Sequence, residues 1–282
     1  CPVCGKPLAV SDRVYSCPGG HAFDRAKSGY VNLLLPGGKH SKAPGDNLFM
    51  VDVRRAFLNR GHYRPLCGEV CRLLAADAAE TGRPGFTVLD AGCGEGYYTE
   101  QFRAALKETG RPFTLLGVDI SKTAVDKAAR RARQADALLS EIRYAAASVF
   151  HLPVPDKSCD WALNLFAPYC GEEVRRVLRP GGQMILVVPG ERHLIELKEA
   201  AYDHPYLNTV KDPALEGFAL LEQRAVSYPM KLKNSAENRE IDNLFRMTPY
   251  YYKTGRTEQA RVEALEELDV TAAFECFVYR LL

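Results

Sequence analysis

The sequence predicts an α/β protein in which a doubly wound, mostly parallel sheet follows a small N-terminal module that carries cysteine and histidine. Five short apolar runs carry this prediction, and each is separated from the next by a helix-like segment; they are residues 86–89, 113–118, 142–147, 161–166 and 184–188. Continuous apolar strands that alternate with helices are typical of a parallel sheet covered on both faces. Strand-like runs at 227–233 and 270–282 bring the predicted sheet to seven strands.

The helices and domain limits follow from capping residues and breaks. Asp46 or Asn47 can cap a helix that Gly61 stops, and a second helix starts at Pro65. Further helices are expected near residues 192–202 and 237–245. Residues 37–45 have no apolar side chain larger than Ala or Pro, which predicts a flexible linker at 37–47. The predicted division is a module at 1–36, this linker, and a large domain at 48–282.

Composition limits the class of protein. The chain has 282 residues, of which 46% are apolar, enough for one large core and a smaller unit. No run approaches the roughly 20 apolar residues of a membrane-spanning helix, and the N-terminus has no apolar leader, so a soluble, cytoplasmic protein is expected. The net charge is +2, but residues 1–60 hold nine Lys and Arg against four Asp and Glu, or +5. That basic end is a candidate for meeting a polyanion, although a solvated surface explains it equally well.

The N-terminal spacing predicts a metal site. Cys1 and Cys4 are separated by two residues, and Cys17 and His21 by three, with twelve residues between the pairs. Two short ligand pairs on two turns suit tetrahedral zinc. A disulfide is the alternative, but it leaves one cysteine over and gives His21 no role. Three thiolates and one imidazole fill all four positions, so the zinc is expected to be structural.

A glycine-rich turn predicts a nucleotide-like ligand. Gly92, Gly94 and Gly96 lie where the first strand of the large domain turns into a helix, and glycines there let a ligand approach the backbone closely. Nearby Asp90 and Glu95 would repel a pyrophosphate but suit a cationic cofactor. Asp119 ends the next strand, where a carboxylate can accept hydrogen bonds from ribose hydroxyls. A ligand-free turn with a capping Asp is the alternative interpretation.

These residues resemble the turn of class I S-adenosylmethionine-dependent methyltransferases. The resemblance runs from about Val88 to Pro189. It implies a seven-stranded class I methyltransferase sheet, with Gly92, Gly94 and Gly96 lining the methionine and ribose of the cofactor. It also implies that Asp119 binds the ribose and that Ser148, after the third strand, lies near the adenine.

The end of the fourth strand is the predicted acceptor site. Asn164 could hydrogen-bond the edge of a base, and Phe166 and Pro168 could stack on one. Core packing is an equal alternative for Phe166. A proton acceptor is expected if the target is guanine N1, and the sequence does not single one out. His193 is a candidate, but it could equally contact the cofactor or cap its helix.

Over its whole length the chain resembles the bacterial 23S rRNA guanine-N1 methyltransferases. The matching strings are Cys17 to His21 with Phe23-Asp24, Gly29 to Leu34, Pro44 to Asp46, Arg55 to Leu58, Gly61 to Tyr63, Leu89 to Thr99 and Arg192 to Lys198. The resemblance implies methylation of guanine N1 in a hairpin of 23S rRNA domain II, with the zinc module gripping the RNA. It implies cofactor contacts at Tyr63, Gly94, Glu95 and His193, and a possible homodimer. Family members divide between two neighbouring guanines, and one branch is linked to macrolide resistance.

Two other classes of function remain open at this point: a non-catalytic scaffold that binds RNA or protein, and a methyltransferase acting on a small molecule or protein. The intact glycine turn and Asp119 argue against the first, and the basic N-terminal segment argues against the second. If that segment holds RNA, the expected contacts are Arg13, Arg25, Lys27, Lys39, Lys42, Arg54 and Arg55, and binding should weaken steeply with salt.

Overall fold

A computed structural model describes residues 1–11, 13–35, 45–80, 84–135 and 141–282. Most of the predicted linker, including Lys39 and Lys42, lies outside these residues. No helix in the described ranges is long and apolar enough to cross a membrane.

The N-terminal module is a small antiparallel sheet followed by a short extended segment. Strands β1 (Ala9–Val10), β2 (Val14–Ser16) and β3 (Ala22–Asp24) pair in that order. The next strand, β4 (Val31–Asn32), leaves this sheet and pairs in parallel with the main one. The module is therefore hydrogen-bonded directly to the large domain.

The large domain starts with two helices, α1 (Leu48–Leu58) and α2 (Arg64–Glu80). Of the two predicted capping residues, Asn47 is the N-cap, because its side chain accepts a hydrogen bond of 3.0 Å from the backbone N–H of Met50. The elements that follow are β5 (Phe86–Ala91), α3 (Tyr97–Glu108), β6 (Phe113–Asp119), α4 (Lys122–Gln134), β7 (Ile142–Ala146), β8 (Cys159–Leu165), α5 (Gly171–Val177), β9 (Leu178–Pro189), α6 (Ile195–Ala201), β10 (Phe218–Lys233), α7 (Glu240–Met247), α8 (Pro249–Tyr252), α9 (Arg256–Glu263) and β11 (Glu267–Leu281).

The main sheet confirms the predicted fold class. Its strand order among the described residues is β10-β11-β9-β8-β5-β6-β7-β4. The strands from β4 to β9 are parallel to one another. Strand β11 pairs antiparallel with β9 on one side and with β10 on the other. The seven strands β5 to β11 match the seven that the sequence predicts, and β4 adds an eighth strand at the edge of the sheet. Parallel strands end on the same side, so the turns after β5, β6, β8 and β9 meet at one edge of the sheet.

The two faces of the sheet are covered differently. Buried side chains of α1, α2, α3, α4, α6, α7 and α9 form the core on one face, with Phe57, Leu66 and Phe102 among its members. The opposite core contains α5 and three buried side chains of the N-terminal segment, Tyr15, Val31 and Leu33. Residues 147–158, between β7 and β8, form turns and extended chain where a doubly wound fold usually has a helix. The N-terminal module covers that part of the sheet instead.

Candidate cofactor, metal and acceptor sites

The four predicted metal ligands lie together in the N-terminal module. One ligand atom from each of Cys1, Cys4, Cys17 and His21 lies within 4.8 Å of all the others. The Cys17 sulfur is 3.6 Å from that of Cys4 and 3.4 Å from Nδ1 of His21. Zinc–sulfur bonds of about 2.3 Å at tetrahedral angles separate the sulfurs by about 3.8 Å. The cluster therefore fits zinc, and its four ligands complete a structural site.

Ionisation of Cys17 is already favoured in this arrangement. Burial opposes its charge, but hydrogen bonds from His21, Gly19 and Cys4 outweigh that effect and lower the pKa of the thiol to about 7. A thiolate is the form that binds zinc.

The glycine turn after β5 is built on left-handed backbone conformations. Gly92, Gly94 and Gly96 have φ values of 92°, 55° and 82°. A Cβ on Gly92 would lie 2.3 Å from the Cβ of Ala167, and one on Gly96 would lie 2.9 Å from the Cβ of Ala128. At Gly94 a Cβ would meet nothing within 4 Å. Gly92 and Gly96 are therefore required for packing, whereas Gly94 faces open space that a ligand can fill.

Asp119 connects this turn to the next strand. One carboxylate oxygen accepts a hydrogen bond of 3.0 Å from the backbone N–H of Gly94, and the other accepts one of 2.8 Å from Ser121. Burial raises the pKa of Asp119, and these backbone donors and Arg54 oppose that rise. Each carboxylate oxygen has a further lone pair, which fits the predicted contact with ribose hydroxyls.

The two other acids near the turn differ in their partners. Asp90 is buried and accepts a hydrogen bond of 2.6 Å from the hydroxyl of Thr99. Burial raises the pKa of Asp90 to about 7. Glu95 is also buried, and one of its oxygens lies 2.6 Å from Nη2 of Arg131 and 3.9 Å from Arg55. The other oxygen of Glu95 has no hydrogen-bond partner among the described residues.

Ser148, the predicted adenine contact, directly follows a residue that is hydrogen-bonded to Asp119. The backbone N–H of Ala147 donates a hydrogen bond of 2.9 Å to the carbonyl of Asp119. The Ser148 hydroxyl accepts one of 3.2 Å from the backbone N–H of Phe150. Ser148 also lines a cleft of about 1320 Å³ between the N-terminal module and the sheet.

Asn164 is buried, and its side chain is mostly used within the protein. Its amide nitrogen donates hydrogen bonds of 3.0 Å to the carbonyl of Ala91 and 3.1 Å to that of Pro168. This differs from the expected contact with a base edge, because both N–H groups instead join the ends of β5 and β8. The Oδ1 atom of Asn164 is buried and has no hydrogen-bond partner among the described residues. It is therefore the one atom of this amide group that is left to accept a hydrogen bond from a ligand.

Phe166 stands in an aromatic group at the same edge of the sheet. It has a left-handed backbone with φ of 59°, and 41% of its surface is exposed. Its ring centroid lies 5.5 Å from that of Phe274, 6.3 Å from Tyr98 and 6.4 Å from Tyr63. Pro168 is exposed beside it. An exposed ring backed by buried rings suits stacking on a flat ligand.

His193 joins this group from the end of β9. Its Nδ1 accepts a hydrogen bond of 3.2 Å from the backbone N–H of Ala273, so the ring proton is assigned to Nε2. The ring lies 4.6 Å from Phe274 and 6.4 Å from Tyr63. Burial and the charge of Lys198 lower the pKa of His193 to about 3. A neutral imidazole held in this way is a weak proton acceptor, which disfavours His193 as a general base.

Tyr98 and Phe274 had no role assigned from the sequence, and Arg54 was expected to contact RNA. Tyr98 is the second residue after Gly96, and its position in the first turn of α3 was the only local sign of a role at this site. Phe274 lies in the last strand and reaches the site through strand pairing with β9, which no local pattern reveals. Arg54 forms an ion pair with Asp46, whose carbonyl accepts a hydrogen bond of 2.7 Å from Ser121.

The basic residues predicted to contact RNA are divided between surfaces. Arg13 and Lys27 are exposed on the module, and Arg25 bonds the carbonyl of Gly29. Arg54 and Arg55 instead face acids close to the glycine turn. These two arginines lie on α1 near Glu95, and not on the module.

Comparison with known proteins finds relatives of both the N-terminal module and the large domain. Residues 1–42 match a zinc-ribbon family described as "RlmA, N-terminal", and residues 88–182 match "Methyltransferase domain". A 23S rRNA (guanine(748)-N(1))-methyltransferase of Streptomyces fradiae is 40% identical over 71% of this chain and 66% of its own length. A putative 23S rRNA (guanine-N(1)-)-methyltransferase of Micromonospora griseorubida is 33% identical over 99% of this chain and 96% of its own. One from Bacillus subtilis, also named putative, is 28% identical over 99% and 95%.

Substitution of two glycines in the turn should separate folding from cofactor binding. Gly94→Ala should cost about 1 kcal/mol of stability for its left-handed backbone, yet abolish the rise in Tm on adding S-adenosylmethionine, because the new methyl group enters open ligand space. Gly92→Ala should cost about 2 to 4 kcal/mol, because its methyl group overlaps Ala167. Urea denaturation and thermal shift measure both effects. Equal loss of stability in the two variants would contradict this division.

Asp90 should make stability depend on pH. Its pKa is about 7 in the folded protein and near 3.8 when unfolded, so the ionised side chain destabilises the fold increasingly from about pH 4 to 7. Asp90→Asn removes this cost and should gain stability over wild type as pH rises, by up to about 1.4 kcal/mol per pH unit. Urea denaturation between pH 5 and 8 measures the difference. Glu216→Gln, at an exposed carboxylate, is the control; a constant difference for Asp90→Asn across this range would refute the assignment.

Proposed function

The chain belongs to the family of 23S rRNA (guanine-N1)-methyltransferases, and we propose that it transfers a methyl group from S-adenosylmethionine to N1 of a guanine in a domain II hairpin of 23S rRNA. The observation that carries this proposal is the open space at Gly94 beside Asp119, at the same sheet edge as the aromatic group around Phe166. One part can hold the methyl donor, and the other a flat acceptor. A non-catalytic scaffold would need neither.

The residues present fit the proposed cofactor. Gly94 leaves space for the cofactor to lie against the backbone of the turn. Asp119 offers carboxylate lone pairs to the ribose hydroxyls of the cofactor. Asp90 and the unpartnered Oδ1 of Asn164 supply acceptors near the end of β5, where the cofactor's ammonium group is expected. Tyr63, Glu95, Ser148 and His193 remain proposed contacts. When bound, the cofactor supplies an electrophilic methyl group on a sulfonium.

The proposed role of the aromatic group is to position the acceptor. Phe166 presents an exposed ring on which guanine can stack, and Tyr63, Tyr98 and Phe274 support it from behind. Methyl transfer is an in-line displacement, so alignment of donor and acceptor supplies most of the rate increase. Asn164 fixes the distance between β5 and the turn that carries Phe166 and Pro168.

The remaining parts of the proposal concern partners and organisation. Zinc bound by Cys1, Cys4, Cys17 and His21 stabilises a module at residues 1–36 whose exposed cations contact RNA phosphates, and residues 37–47 link it to the catalytic domain at 48–282. The family relationship supports a cytoplasmic enzyme acting on ribosomal RNA, and we include in the proposal that two copies pair as a homodimer.

The direct test is methyl transfer to RNA. Wild-type protein and tritiated S-adenosylmethionine should label an unmodified 23S rRNA domain II fragment, and primer extension should then stop beside one guanine, because a methyl group on N1 blocks Watson–Crick pairing. Replacement of that guanine by adenine should remove the stop, whereas replacement of its neighbour should not. Phe166→Ala should lower kcat/KM about tenfold through lost stacking. Labelling without a stop would show a different acceptor atom, and no labelling would exclude this substrate.

A further inference from the structure

Residues 203–217, between α6 and β10, pass the carboxyl end of β9 and then reach Tyr279 of β11, which pairs with Met184. We call this segment the strap. The backbone N–H of Asn208 donates a hydrogen bond of 2.8 Å to the carbonyl of Glu191, and its side chain donates one of 2.8 Å to the carbonyl of Gly190. Gly190 and Glu191 directly follow β9 and precede His193. The strap is therefore attached at the carboxyl end of β9, next to the aromatic group.

A buried lysine of α6 donates hydrogen bonds to the strap. Lys198 in α6 has a completely buried side chain, and its Nζ donates hydrogen bonds of 2.9 Å to the carbonyl of Tyr206 and 2.7 Å to the side chain of Asn208. Burial of an ammonium group is costly unless such bonds compensate it. Four residues after Asn208, Asp212 accepts a hydrogen bond of 2.6 Å from the hydroxyl of Tyr279. The part of the strap from Tyr206 to Asp212 is thus held by hydrogen bonds at three residues.

The strap displays two large apolar side chains to solvent. Tyr206 is 47% exposed and Leu207 is 45% exposed. The Tyr206 ring is supported from within, because the Nζ of Lys198 lies 4.4 Å from its centroid and the ring of Tyr202 lies 5.9 Å away. A supported ring keeps its position while part of its surface stays open. Tyr206 and Leu207 therefore form a small, fixed apolar surface near the carboxyl end of β9.

We infer that Tyr206 and Leu207 form a stacking platform for an unpaired nucleobase of the RNA substrate, next to the base that is methylated. This inference rests on the proposed function. Unpaired bases in RNA loops are recognised mainly by stacking on fixed aromatic side chains. The cations exposed nearby, Arg192 before α6 and Lys211 in the strap, can contact the phosphates of the same nucleotide. The platform would thus select a substrate whose target guanine lies in a loop.

Equilibrium binding of an unmodified domain II hairpin fragment, together with steady-state kinetics, tests the platform. Tyr206→Ala should weaken RNA binding and raise KM for RNA about tenfold, with S-adenosylmethionine affinity unchanged. Tyr206→Phe should behave as wild type, because the ring is kept. Leu207→Ala should have a smaller effect in the same direction. Leu220→Ala, at a similarly exposed leucine on β10, is the matched control and should change nothing.

The outcomes separate this inference from the proposed function. If wild type methylates the fragment and Tyr206→Ala binds and methylates it equally well, the platform is refuted while the proposed function stands. If Tyr206→Phe loses as much as Tyr206→Ala, the stacking explanation is wrong. If wild type methylates no 23S rRNA fragment, both proposals fail. Fluorescence of 2-aminopurine placed beside the target guanine gives an independent readout: it should be quenched by wild type and Tyr206→Phe but not by Tyr206→Ala.

Discussion

The hydrogen bonds of the Asp119 carboxylate hold together the glycine turn and the start of α4, on which the proposed cofactor site depends. The carboxylate accepts hydrogen bonds from Gly94 in the glycine turn and from Ser121 at the start of α4. Ser121 in turn bonds the carbonyl of Asp46, just before α1, and the Asp119 carbonyl receives the N–H of Ala147 after β7. Asp119 therefore bonds three segments around the proposed cofactor site directly and a fourth, before α1, through Ser121. A buried carboxylate is tolerated there because backbone donors offset its desolvation.

The zinc module is a part of this architecture as well as a candidate RNA contact. Most helices of the large domain cover one face of the sheet, and the chain between β7 and β8 has turns where a helix is usual. Tyr15 and Leu33 fill part of the opposite face, and β4 extends the sheet next to β7. Because three cysteines and a histidine hold the module together, zinc binding also contributes to the burial of the sheet that carries Asp119.

Local patterns in the sequence predicted most of the fold, the metal ligands and the glycine turn. These features depend on spacing within a short segment, as at Cys1 to His21 and Gly92 to Gly96. The strand at 227–233 proved to begin at Phe218, because an edge strand with mostly exposed side chains has no clear apolar pattern. Phe274 was missed because it reaches the acceptor site through pairing of distant strands. The hydrogen bonds of Asn164 depend on two loops that meet only in the folded chain.

We propose that this chain holds S-adenosylmethionine at the glycine turn that is hydrogen-bonded to Asp119. Titration calorimetry with the cofactor tests it most directly. Wild type should bind one molecule per chain, and Asp119→Asn should bind about tenfold or more weakly, because the carboxylate loses its charge-assisted bonds to the ribose hydroxyls. Absence of heat from wild type, or equal affinity of the two proteins, would contradict the claim.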